Sequence, residues 1–185
     1  MAAIIAGKKI SVKEFSTMDL DENSYYELIN GLIVKKQAPS FAHQNSSMNL
    51  SIFLGNFNRE KKLGKLVASP IDVFFDDYNN TQPDLLFIKK EREYIITNHG
   101  IEGAPDLIVE ILSPSTFRYD RREKFNLYMQ FGVSEYWIVE PVNKSIEVYV
   151  LENGKYDLQF SAISEGIIQS NVLAGLNLDI AAVFE

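Results

Sequence analysis

One stretch constrains this chain more than any other: "APDLIVEILSPST", residues 104–116, a short apolar run bounded by prolines that nevertheless holds two acids, Asp106 and Glu110. Its length and β-branched content predict a buried strand. Side chains alternate along a strand, so Asp106, Ile108, Glu110 and Leu112 share one face while Leu107, Val109 and Ile111 share the other. The two acids lie about 13 Å apart along that face, too far for both to ligate one ion. Asp106 follows Pro105 at the strand mouth and is expected at a solvated rim. Glu110 sits mid-run among apolar neighbours. A carboxylate there must be paired, hydrogen-bonded, metal-bound or protonated, because leaving it bare costs several kcal/mol. A structural salt bridge satisfies that demand, and so does a metal site.

A second acid favours the metal. "TQPDLLFI" places Asp84 after Pro83 on what reads as a nearby strand, and two carboxylates on adjacent strands begin a site for a hard divalent cation such as Mg²⁺. The chain has no cysteine, which removes disulfides, thiolate nucleophiles and thiolate zinc sites together. Lys124, on a helix after the strand, can supply a cation for developing charge. Asp120 and Lys124 also fit an i,i+4 surface ion pair.

The elements around these acids follow from pattern. "SVKEFSTMDL" reads as a short helix capped by Ser11, packing as a lid, and "YYELINGLIVKK" as a hairpin turning at Asn30-Gly31. "SFAHQNSSMNLSIFLGNFNREKKLG", with apolar residues at 48, 50, 52, 53 and 57, predicts a long amphipathic helix ended by Gly64. "KLVASPIDVFFDD", "PDLLFIKK" and "PDLIVEIL" read as strands, and "EREYIITNHGIEGA" as a short helix and loop. "STFRYDRREKFNLYMQFG" predicts a second long helix stopped by Gly132. Further strands follow, with a hairpin turn at Asn153-Gly154. The order predicts an α/β fold with a mixed sheet and packed helices. At 185 residues, 46% hydrophobic and 23% charged, the chain fits one soluble domain spanning 1–185. No apolar run approaches the ~20 residues of a membrane span, and the first residues do not read as a secretion signal, so a cytoplasmic protein with no membrane partner is expected.

A net charge of −7 gives no global attraction to nucleic acid, so such binding needs a local basic surface. Lys61, Lys62 and Lys65 offer one, as do Lys89, Lys90 and Arg92, and as do Arg118, Arg121, Arg122 and Lys124; each also fits an ordinary solvated face.

"YELING", "PIDVFF", "QPDLLFI", "GIEGAPDLIVEILSPST", Asp120 to Lys124, and "YMQFGVSEYWIVEP", in this order from about Ser11 to Leu151, resemble the Uma-two family of restriction-endonuclease-like proteins within the PD-(D/E)XK nuclease superfamily. The resemblance implies a restriction-endonuclease-like fold, a mixed central β-sheet flanked by helices, with a divalent-metal site on its strands. It implies catalytic roles for Asp84, Glu110, Lys124 and Glu27, with Asp84 and Glu110 as ligands of Mg²⁺ or Mn²⁺. Asp106 and His43 fall at auxiliary positions. The superfamily lysine would stand at Leu112, a departure, and in this family it looks migrated to Lys124. The implied activity is metal-dependent hydrolysis of phosphodiester bonds in DNA, with Arg118, Arg121 and Arg122 toward the nucleic acid and a homodimer as in restriction-type enzymes. The alternative is a catalytically silent nuclease fold that binds nucleic acid or protein, favoured by Leu112 and the acidic charge.

Other chemistries are poorly served. Ser113, His43 and Asp106 lack a Gly-x-Ser-x-Gly elbow, and no phosphate-loop or dinucleotide motif occurs. "SPST" offers anion-binding donors or a plain helix cap. His43 also fits a capping or core role, His99 an exposed loop, and Trp137 the core.

Overall fold

The computed structural model describes residues 4–5, 8–21, 23–113 and 117–185. Pro114 to Thr116, and with them the anion-binding reading of "SPST", lie outside the described residues. The chain begins with β1 (Ile4–Ile5), α1 (Val12–Phe15), β2 (Tyr26–Ile29), β3 (Leu32–Lys35) and α2 (Phe41–Lys61). It continues through β4 (Gly64–Ala68), β5 (Val73–Asp76), β6 (Asn79–Thr81), β7 (Leu85–Lys89), β8 (Ile96–Thr97), β9 (Gly100–Glu102) and β10 (Leu107–Ile111). After α3 (Phe125–Gln130) come β11 (Glu135–Glu140), β12 (Ser145–Glu152), β13 (Lys155–Ile163), β14 (Ile167–Gln169) and β15 (Asn177–Asp179).

The fold is α/β, and its mixed central sheet runs β13-β12-β11-β10-β7-β4. β10 and β11 pair in parallel, whereas β10 pairs with β7 antiparallel. A second mixed sheet, β1-β3-β2-β6-β5-β9-β8, takes much of the chain that was expected to serve one sheet. The division falls inside "KLVASPIDVFFDD", whose halves β4 and β5 join different sheets. Pro70 between them has no N–H for a ladder, which ends one strand before the next begins. The hairpin turns form as read, with Asn30, Gly31, Asn153 and Gly154 all at positive φ.

β10 is buried on both faces, which accounts for its nearly unbroken apolar run. Leu107, Val109 and Ile111 enter one core cluster with Leu50, Leu54 and Trp137. Ile108 and Leu112 enter the other with Leu86, Tyr128 and Tyr136.

Four elements depart from expectation for physical reasons. Helix α2 buries His43, Ser46, Leu50, Leu54 and Asn58, while Met48, Ile52 and Phe53 face outward, because the start of its inner face looks onto a polar cavity rather than apolar core. Its C-cap is Lys62, in the left-handed region, with the Asn58 amide bridging to the backbone of Gly64. Gly64 instead opens β4, where a Cβ would collide with the Ile88 carbonyl. The segment 90–102 forms a 3₁₀ turn and the small β8–β9 pair, anchored by buried Ile95 and Ile101 that its polar composition masks. The second long helix is helical over 117–130 in the described residues, with a wide π turn at Tyr119–Lys124 that buries both Asp120 and Lys124. Such π turns recur at functional sites.

The C-terminal segment is fastened by one carboxylate. Glu135, fully buried at the start of β11, accepts from Trp137 Nε1 (2.7 Å), Ser170 Oγ (2.6 Å) and the amides of Asn171 (2.7 Å) and Val172 (3.0 Å). Replacing Glu135 by Ala leaves these donors without an acceptor and is expected to destabilise the protein by about 3 kcal/mol. Urea unfolding of the variant checks this, and loss below 1 kcal/mol (roughly the net value of a single ordinary hydrogen bond) would contradict it.

Candidate active site

The site is built where β7 and β10 run side by side. Their register pairs Leu85 with Val109, so Asp84 enters β7 beside the position of Glu110. The Ile111 amide donates to Asp84 Oδ2 (2.7 Å), locking one carboxylate to the neighbouring strand. From α2, His43 brings Nε2 to 3.3 Å from the same oxygen. Ser40 caps that helix by accepting from the His43 amide, which sets the first turn against the sheet.

Lys124 organises the other half. Its Nζ lies 2.9 Å from Glu110 Oε1, 2.9 Å from Glu27 Oε1 and 3.4 Å from Asp120 Oδ1, with the side chain 1% exposed. The Asp120–Lys124 pair, which also fitted a surface ion pair, is therefore buried. Tyr128 donates its hydroxyl to Glu110 Oε1 (2.7 Å), and the Gln82 amide donates to Glu27 Oε1 (2.8 Å). Lys36, just past β3, donates to the Gln82 carbonyl (2.9 Å) and stands 3.6 Å from Glu27 Oε1. Asp84, Glu110, Asp120, Lys124, Lys36 and His43 all line one cavity of about 170 Å³.

Four carboxylates here, at 27, 84, 110 and 120, face two lysines, so the cluster is short of positive charge. The two strand acids respond differently. Burial, the largest influence on Asp84, opposes its ionisation, but the His43 hydrogen bond, Lys36 and the Ile111 amide hold it below the usual carboxylate range. Burial pushes the Glu110 carboxyl up to about 8; Lys124 opposes this, while Asp120 and Asp84 add to it. Glu27 is also buried, yet Lys124, Lys36 and the Gln82 amide keep it below its ordinary value. Lys124 is held charged, well above its ordinary value, by Glu110, Glu27 and Asp120 against the effect of burial.

The donor set fits a hard cation. Asp84 uses Oδ2 and Glu110 uses Oε1 for protein contacts, and among the described residues nothing donates to Asp84 Oδ1 or Glu110 Oε2. No three His, Asp or Glu side chains converge as a ready-made cage among the described residues. Mg²⁺ is ordinarily held by one or two carboxylates plus water and substrate phosphate oxygens, so two free carboxylate oxygens and a deficit of positive charge suit it.

The other sequence-derived positions lie elsewhere. Asp106 is not a solvated rim residue. It is 3% exposed, ion-paired with Arg92 (2.9 Å), and accepts from the Lys89 amide (2.9 Å), tying the far end of β10 to β7 and the turn after it. Arg121 is committed to a two-pronged pair with Glu147, both contacts at 3.0 Å. Arg118 and Arg122 are exposed, as is His99. Leu112, at the position expected for a lysine, packs in the core with Tyr128. Lys36, Gln82 and Tyr128 escaped notice. Gln82 stands inside the "QPD" motif, Tyr128 lies among the aromatic residues of "STFRYDRREKFNLYMQFG", and Lys36 carries only the signal of a lysine ending a strand otherwise apolar.

The family model described as putative restriction endonuclease, Uma2, matches residues 12–181. The chain belongs to the Uma2 family. The fold matches the crystal structure of a putative nuclease belonging to DUF820 from Anabaena variabilis with a TM-score of 0.76. That match has 20% identity and covers 95% of this chain and 97% of the other. An uncharacterized protein of Synechocystis, sll1609, is 22% identical over 150 residues, spanning 80% of this chain and 85% of its own length.

The raised carboxyl gives a signed pH dependence. Glu110 binds its proton more tightly in the folded state, so its ionisation destabilises the metal-free fold progressively from its ordinary 4.5 up to about 8. Glu27 and Asp84 are shifted the other way, so their contributions are complete above the ordinary carboxylate range and flat over most of this window. Thermal unfolding in EDTA should show the wild type losing more stability than Glu110→Gln between pH 5.5 and 8. Parallel pH profiles for the two would contradict the assignment.

Proposed function

We propose that this Uma2 chain is a metal-dependent endonuclease that hydrolyses phosphodiester bonds in DNA. The reading is carried by one observation, the pairing of Asp84 and Glu110 across β7 and β10 with a free oxygen on each. Mg²⁺ or Mn²⁺ held by these two carboxylates would polarise a phosphoryl oxygen and make a bound water more acidic.

The chain's own side chains prepare that chemistry. The Ile111 amide and His43 fix Asp84 so that only Oδ1 remains for the cavity. Lys124 and Tyr128 do the same for Glu110, leaving Oε2. Lys124 thereby acts as a positioning residue: its ammonium is surrounded by three carboxylates rather than by solvent. Glu27 anchors Lys124 from the second sheet. Such prior fixing keeps reorganisation low when charge develops on the phosphate. Arg118 and Arg122, exposed beside the buried turn, are available to backbone phosphates, whereas Arg121 is held by Glu147.

Incubating supercoiled plasmid with wild type and Glu110→Gln in Mg²⁺ or Mn²⁺ tests the reading. Cleavage by the wild type that falls by at least a hundredfold in the variant, in line with loss of a metal ligand, is the expected result. Cleavage unchanged by the substitution would contradict it. The silent-module alternative draws on the leucine at 112 and the enclosure of Lys124 by carboxylates, and is favoured if DNA is bound equally in EDTA and Mg²⁺ without being cut.

A further inference from the structure

The two lysines lining the cavity differ in what their ammonium groups have left to give. Lys124 Nζ has three N–H donors and three carboxylates around it, and its side chain is 1% exposed. Its two hydrogen bonds go to Glu110 and Glu27, and with Asp120 these acids enclose it away from solvent. Lys36 Nζ makes one hydrogen bond, to the Gln82 carbonyl at 2.9 Å, and its nearest carboxylate oxygen, on Glu27, is 3.6 Å away. Its side chain is 17% exposed. At least one of its N–H donors therefore has no acceptor among the described residues. No arginine lines this cavity among the described residues.

Lys36 is also held in place. Its amide donates to the Tyr25 carbonyl (2.8 Å), extending the β2–β3 hairpin by one step, and the Gln82 contact ties its far end to the residue two before Asp84. Burial opposes its charge, but Glu27, Glu110 and Asp84 more than compensate, so it stays an ammonium. An ammonium so fixed, with spare donors and facing a cavity that also holds two free carboxylate oxygens, suits an oxyanion that brings its own negative charge.

We propose that Lys36, and not Lys124, is the lysine that contacts the substrate phosphate at this site. The assignment rests on the nuclease reading above and adds the residue that receives the phosphodiester. Lys124 fixes the carboxylate platform, and Lys36 meets the anion laid across it. The two functions that one lysine would serve are divided between two elements, the end of β3 and the π turn before α3.

The test uses a fluorescent duplex oligonucleotide and Mn²⁺ as separate probes. Duplex binding is measured against salt in the full-length Glu110→Gln protein, which removes turnover, with and without Lys36→Met. Mn²⁺ binding is measured calorimetrically in the Lys36→Met single variant. Removing the phosphate contact should weaken duplex binding about tenfold and lower the slope of log affinity against log salt by about one. Lys36→Arg should restore both. Mn²⁺ should bind Lys36→Met as tightly as wild type or more tightly, since a positive charge near Asp84 has been removed. These opposite directions separate a substrate contact from damage to the fold, which weakens both. An unchanged salt slope, or joint loss of duplex and Mn²⁺ binding, would overturn the assignment while leaving the nuclease reading standing. Absence of duplex binding by the Glu110→Gln parent and by the wild type would overturn both.

Discussion

The ion cluster around the Lys124 ammonium is the interaction on which this architecture depends. Glu110 comes from the central sheet, Glu27 from the second sheet, and Asp120 from the same helical turn as Lys124. One charged group therefore ties three parts of the fold at a buried point. Each of these carboxylates would be costly alone, because desolvating a charge is repaid only by close, well-directed partners. The π turn at Tyr119–Lys124 is what brings Asp120 and Lys124 inward together. Neutralisation is incomplete by design of the sequence: with Asp84 included, the acids outnumber the lysines, and Glu110 responds by holding a proton up to about pH 8. On the proposed reading, a cation or a phosphate-bound cation completes this unbalanced cluster.

Much of this was legible in the residues, and the legible parts share a cause. β10 and its alternation, the two Asn-Gly hairpin turns and the pairing of Asp84 with Glu110 depend on local pattern and on neighbouring strands, which sequence encodes directly. Glu110 stood out because an acid mid-run has no cheap explanation. What was not legible depends on three-dimensional partners. Asp106 looked solvated beside Pro105, but Arg92 reaches back from a turn to bury it. Arg121 looked available, but Glu147 on β12 takes its guanidinium. The inner face of α2 does not follow the apolar period, because the helix is polar at its start, where His43 lines the cavity and Ser46 is buried. Lys36 carried no pattern of its own; only the structure reveals that it shares Glu27 with Lys124.

That the buried ammonium comes from the helix and not from β10 has a physical counterpart. Leu112 fills a core position against Tyr128, and the Tyr128 hydroxyl in turn supports Glu110. A lysine at 112 would forfeit that packing. Placing the ammonium on the following helix keeps both the core and the carboxylate contact. The cost is that Lys124 is enclosed by carboxylates, which on our proposal leaves Lys36 to meet an incoming phosphate.

The central claim is that Asp84 and Glu110 form a divalent-cation site. Calorimetric titration of Mn²⁺ into the wild type and into Asp84→Asn at pH 8 tests it most directly, since Asp84 bears no part of the Lys124 cluster. The account predicts one binding event in the wild type, weakened at least tenfold in the variant. Equal Mn²⁺ binding by both proteins would place the ion elsewhere and leave the buried acids as structural ion pairs.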